Sequence, residues 1–350
     1  MDTLQCVSFR DEILICGGRY NNDCYSYHIV KQEYKRICSY PSEIRLFGHK
    51  VVSYTSHTDT NTVTIISFGG SFTTSHNLMM RYQSVWEELS PPIQNANENE
   101  SQSQVKAKIN KWIPLPNRLD LNKGYVESRY VGAVVSGSNN EFLFITRKPH
   151  TIDVVDLRSF TYLESHIEEP LIKWNYLEFD DHSVVPLNNQ KKQFVIVNEK
   201  KNWLIQFNEK SKRFSYNTLP ECFFLRRHHR FSCCRFHNQI FVVGGYSNES
   251  YKLTNQICVY NTDEYYWSKC PLPMPRNLAD CAVVANYNLF SLHVIGGVGN
   301  LQSHDSHFAL IVLSERDIQQ MIEYWWKHSG GKPSKWVRDI GELIVQYLTN

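Results

Sequence analysis

Apolar runs ending in paired glycines recur along this chain at a fixed interval, and that interval limits what the chain can fold into. The runs are "ILICGG" (Gly17, Gly18), "IISFGG" (Gly69, Gly70), "FVVGG" (Gly244, Gly245) and "HVIGG" (Gly296, Gly297). The first two doublets lie 52 residues apart, and so do the last two. The middle gap is 175 residues and holds one low-complexity stretch, 91–109, rich in Asn, Gln, Glu and Ser. Setting those 19 residues aside leaves 156, three intervals of 52. A sequence period of this length marks a repeat architecture, so two copies lacking the doublet are expected in the gap.

An aromatic pair locates them. Tyr260 and Trp267 have six residues between them, as do Tyr27 and Tyr34, and Phe207 and Phe214; Val155 and Tyr162 keep the spacing with an aliphatic first member. "FLFITR" and "FVIVNE" stand upstream of the two weak copies where the others read "FVVGG". Each copy offers about four short strand patterns. In the fifth they are "FSCCRF", "QIFVVGG", "NQICVYN" and "YYWSKC", separated by turn residues and without helical periodicity. Such a unit predicts one small antiparallel sheet per copy. A single sheet cannot bury both faces, and stacking six around an axis does.

A period near 50, a Gly-Gly doublet closing the second strand and an aromatic pair spanning the third and fourth strands together resemble the kelch repeat. The expected fold is all-β: a six-bladed kelch-like β-propeller over 1–313, with blades near 1–39, 46–116, 126–166, 179–220, 229–275 and 277–313. The glycine doublets are read as structural, turning the chain and letting a neighbouring blade approach. Tyr34, Tyr162, Phe214 and Trp267 are expected to lay an apolar plate against the next blade. Residues 91–109 read as a disordered insertion in the second blade, with Trp112 resuming the repeat. The sixth copy has "HFALIVL" as its third strand and no aromatic fourth strand.

From Ser314 the period changes. Ile318, Met321, Ile322 and Trp325 fall at helical spacing, "GGKP" stops that run, and Val337, Ile340, Ile344 and Tyr347 mark a second amphipathic helix. A short αα-hairpin tail is therefore expected over 314–350. It packs on the propeller or serves association through Trp325, Trp326 and Trp336.

The search for chemistry finds little. There is no nucleotide-binding or nucleophile-elbow motif, and carboxylates are scattered. His304, Asp305 and His307, and His228 with His229, are the metal candidates, but no Cys/His set completes a site. We therefore expect no cofactor and no catalysis. A net charge of +2 argues against a nucleic-acid binder, and no apolar stretch reaches transmembrane length. The start carries acids early and shows no export signal, so the ten cysteines are expected to stay reduced and the protein to be cytoplasmic.

Binding loops are the remaining candidates. In a propeller the second-to-third-strand turns and the blade-to-blade connections emerge on one face. Here they carry Arg19, Tyr20, Arg147, Arg226, Arg227, Arg230 and Tyr246. Arginines ringing a channel mouth suit carboxylates or phosphates on a protein or peptide partner. The resemblance implies recognition of a partner by one propeller face. It extends to recruiting substrates for a ubiquitin ligase assembled with another chain, or to actin association, with a propeller enzyme as the reading of a different class.

Overall fold

The computed structural model describes residues 3–56, 59–70, 74–87, 109–123, 131–147, 151–163, 182–187, 192–288, 290–299 and 306–311. The proposed insertion up to residue 108 and the proposed helical tail lie outside them. The chain divides into two compact units, Met1–Ala309 and Leu310–Asn350. Among the described residues no helix is long and apolar enough to cross a membrane.

The first unit is all-β. Cys6–Phe9, Glu12–Gly18, Asn21–His28 and Glu33–Ser39 form the first sheet in sequential order. Lys50–Ser56, Asp59–Gly70, Ser75–Gln83 and Ile113–Pro114 form the second. Gly132–Ser136, Phe142–Arg147, Thr151–Asp156 and Thr161–Leu163 form the third. The fourth is Ser183–Pro186, Gln193–Val197, Asn202–Asn208 and Arg213–Leu219. The fifth is Ser232–Phe236, Gln239–Val243, Ile257–Asn261 and Tyr266–Lys269. Ala282–Asn286, Ser291–Ile295 and His307–Ile311 make a three-stranded sixth. A small ribbon of His228–His229, Tyr246–Ser247 and Lys252–Leu253 stands beside the fifth.

The first strands run in a cycle. That of sheet one touches those of sheets two and six, and each of the others touches the first strands of the sheets before and after it. The core lies between sheets rather than within them. Leu14, Phe9 and Cys24 pack with Ile65, Met80 and Tyr82 across the first seam, and Ile13 and Ile15 pack with Val284 and Ile295 where the sixth sheet meets the first. This is the β-propeller solution, in which every sheet covers a face of its neighbour.

The repeat residues make those seams. Tyr27 stands directly opposite Tyr34, Phe207 opposite Phe214, Tyr260 opposite Trp267, and Val155 opposite Tyr162. The ring pairs sit 4.7–5.0 Å apart. One expectation is corrected in direction: the outer aromatic faces the preceding sheet, not the next. Trp112 stacks on Tyr40 at 4.5 Å and donates to Cys24 Sγ, both from sheet one and its exit. Trp267 Nε1 donates to the carbonyl of Pro220, and the Tyr162 hydroxyl to that of Asp120, each in the connection leaving the previous sheet. Tyr34 meets His307 of the sixth sheet. A Trp or Tyr is suited to this place because its ring is apolar while its tip must find a partner once buried.

Gly244 shows why the doublet is glycine. Its φ is +67°, and a Cβ there would stand 2.3 Å from the backbone oxygen of Leu278.

Candidate functional site

Antiparallel sheets arranged in this way put three features on one face: the starts of the first strands, the second-to-third-strand turns and the sheet-to-sheet connections. At the centre of that face opens a cavity of about 340 Å³, lined by residues at or just before the first strands of the six sheets. Arg230 Nε donates to Asp280 Oδ2 at 2.9 Å, joining the entries of sheets five and six. His49 Nε2 donates to the Cys16 carbonyl at 2.8 Å, and His182 Nε2 contacts Thr146 Oγ1 at 2.6 Å. Burial holds His49 down to about 4, so it is neutral near pH 7. Burial pushes the thiols of Cys6 and Cys233 well up and that of Cys281 up to about 12, which leaves them protonated and poor nucleophiles. These polar groups tie neighbouring sheets together across the channel.

The rim around the cavity has a different character. Arg19 lies over the rings of Tyr20 at 5.0 Å and Phe47 at 4.9 Å, and Tyr20 is 82% exposed. Arg226 lies over Phe223 at 5.4 Å and reaches Glu221 at 3.5 Å; Phe223 is 71% exposed. Arg227 pairs loosely with Glu249 at 3.5 Å, and Tyr251, two residues on from Glu249, is 76% exposed. Guanidinium stacked on an exposed ring is an arrangement that protein surfaces use for contact.

The seven residues suggested by the sequence therefore separate. Arg19 and Tyr20 form one rim platform, and Arg226 and Arg227 stand exposed on another. Tyr246 packs on His229 at 5.4 Å in the small ribbon. Arg230 is committed to Asp280 in the channel wall. Arg147 departs from the expected solvent-facing position. Its side chain is 2% exposed, Nε donates to Asp153 Oδ2 at 3.1 Å, and Nη2 donates to the carbonyl of Leu121. Phe47, Phe223 and Tyr251 were not singled out; an aromatic beside arginine or in an otherwise polar turn is the signal that marks them.

Of the metal candidates, His304 and Asp305 lie outside the described residues. His307 Nε2 contacts His293 Nδ1 at 3.0 Å and its Nδ1 contacts the Tyr34 hydroxyl, while His228 Nδ1 donates to the Arg226 carbonyl. Among the described residues no group of three His, Cys, Asp or Glu is placed to hold a metal ion.

Comparison with known proteins agrees with this geometry. The family model described as Kelch motif matches residues 227–271, which span the fifth sheet and its entry ribbon. That segment carries the kelch motif. The kelch doublet Gly244–Gly245 and the pair Tyr260–Trp267 both fall inside the match. The solved structure of YjhT superposes with a TM-score of 0.59 over 90% of this chain and 95% of that one, at 11% identity, a level that speaks to the fold alone. No curated protein sequence matches the chain.

Proposed function

We propose that the chain is a six-bladed kelch propeller that works, without catalysis, as a protein-interaction module in the cytoplasm, taking a partner on the face that carries the second-to-third-strand turns. The observation that supports this reading most is the set of exposed aromatics on that face, Tyr20, Phe223 and Tyr251, two of them under a stacked guanidinium. Large rings with few rotors and arginine supply most of the energy at protein interfaces. The fit is to a protein or peptide surface with carboxylates placed to meet Arg19, Arg226 and Arg227. Recruitment of substrates to a ubiquitin ligase assembled with another chain belongs to the same reading, because it needs only this face and a second contact elsewhere.

The test is quantitative affinity capture with three forms of the full chain: unaltered, Tyr20→Ala/Phe223→Ala/Tyr251→Ala, and Tyr265→Ala/Tyr266→Ala, which alters exposed rings on a third-to-fourth-strand turn of the other face. A partner recovered by the first and third forms and lost at least tenfold with the second fits the proposal. Equal recovery by all three ends it.

A further inference from the structure

The opposite face holds a second cavity, which the rim does not touch. It has a volume of about 520 Å³ and opens where the first strands of sheets four and five end and the sixth sheet makes its first turn. Its walls come from Val184, Pro186, Leu187, Cys234 and Tyr287, with Arg235 as its fixed cation. A volume of this size is that of an ordinary small-ligand site, and its lining is mixed, with Val184, Pro186, Leu187 and the Tyr287 ring supplying an apolar share beside the charge of Arg235.

The guanidinium is the informative group. Arg235 is half-buried at the end of the Ser232–Phe236 strand. Nε donates to the carbonyl of His237 at 2.6 Å, and Nη1 donates to the carbonyl of Leu187. The next turn braces it from behind, since the Tyr287 hydroxyl donates to the Arg235 carbonyl at 2.9 Å and the Tyr287 ring stacks on Phe236 at 5.2 Å. Two of the five guanidinium donors are therefore spent on orientation. Among the described residues Arg235 has no carboxylate partner, whereas Arg147 and Arg230 are each closed by an aspartate. An arginine locked by backbone carbonyls, carrying unspent donors and lining a cavity with an apolar share from Pro186, Leu187 and Tyr287, is complementary to a planar anion with an apolar body.

We propose that this cavity binds an apolar carboxylate, the carboxylate on Arg235 and the hydrocarbon part between Pro186, Leu187 and Tyr287. The inference is independent of the partner face. The same chemistry is offered by a free aryl or branched aliphatic acid and by the C-terminus of a peptide ending in an apolar residue.

Saturation-transfer NMR on the full chain tests it, with 3-phenylpropionate and its neutral isostere 3-phenylpropanamide as probes. The acid is expected to bind at least tenfold more tightly than the amide. Arg235→Gln should remove that preference, and Arg235→Lys should keep only part of it because the fork is lost. Should Arg235→Gln melt early, Tyr287→Ala, at an exposed wall, supplies the second variant and is expected to weaken the acid several-fold. A hexapeptide ending in Phe with a free carboxylate, compared with its amidated form, assigns the source according to whether it or the small acid binds more tightly. Equal binding of acid and amide, acid binding that survives Arg235→Gln unchanged, or no binding of acid or peptide at millimolar concentration overturns the proposal. Tyr20→Ala/Phe223→Ala/Tyr251→Ala should leave all of these results unchanged.

Discussion

Gly244 combines a left-handed φ with a backbone oxygen standing where a Cβ would go. Gly244→Ala should therefore cost about 3 kcal/mol, one part from the left-handed backbone and the rest from displacing the Leu278 peptide. Urea unfolding of the two proteins measures it, and a difference under about 1 kcal/mol shows that the seam yields instead. The glycines were legible from sequence because conformational permission belongs to the residue itself. The fate of an arginine does not. Arg19 comes just after one apolar second strand and Arg147 ends another, yet one stacks in the open and the other is sealed between Asp153 and the Leu121 carbonyl. That difference is set by residues distant in sequence, so spacing could not distinguish them.

At the scale of the sheet, the degenerate copies show what replaces a lost doublet. Leu143 pairs with Val155 as Ile13 pairs with Tyr27 and Ile240 with Tyr260. Four residues further on stand Arg147, Gly17 and Gly244 respectively. Arg147 is not among the residues with positive φ, so this position lacks the left-handed step that Gly17 and Gly244 take, and its large side chain is absorbed by an ion pair with Asp153 of the next strand. In the fourth sheet Asn202 Oδ1 accepts from the Asn198 amide and Asn198 Oδ1 from that of Lys200, closing a tight turn with side chains. Short strands, antiparallel order and the opposed pairs were legible in all of these copies, because they follow from period and register. The substitute turns were not, because each is a different local solution. We expect Asp153→Ala to cost about 3 kcal/mol by leaving a buried guanidinium without its counterion, and Arg147→Met to cost clearly less, since an apolar replacement removes the charge together with its need. Thermal melts of both proteins compare them, and an equal or reversed order would mean that the pair contributes by attraction rather than by avoided desolvation.

For the whole molecule, the decisive seam is the one that returns to the start. His307 of the sixth sheet lies between His293 Nδ1 at 3.0 Å and the Tyr34 hydroxyl at 2.5 Å, with the Tyr27 ring 4.3 Å away. His293 Nε2 in turn meets Ser291 Oγ. Among the described residues none of these contacts is a carboxylate, and the two facing imidazole nitrogens have room for only one proton between them. Burial holds His307 down to about 4 and His293 below its ordinary value. His49 and His76, set edge-on to Tyr40 at the first seam, are held down to about 4 and about 3 for the same reason. The sign follows directly. Each of these histidines has a folded pKa below the unfolded value near 6.5, so the unfolded chain binds more protons between the two. Their contribution is complete above about pH 6.5 and is lost progressively as the pH falls towards 4. The melting temperature should accordingly drop between pH 7 and pH 4.5 by clearly more than acid repulsion alone produces in a chain with a balanced charge. His307→Phe keeps a ring against Tyr27 and removes one titration, so its melting curve should be measurably less steep in pH. A parallel curve for His307→Phe would mean that the closing seam takes no part in the acid response, which would then belong to the His49 and His76 seam. His76→Phe isolates that contribution: it should flatten the curve by a similar amount, and the double variant by the sum, because the two seams lie on opposite sides of the first sheet and share no residue.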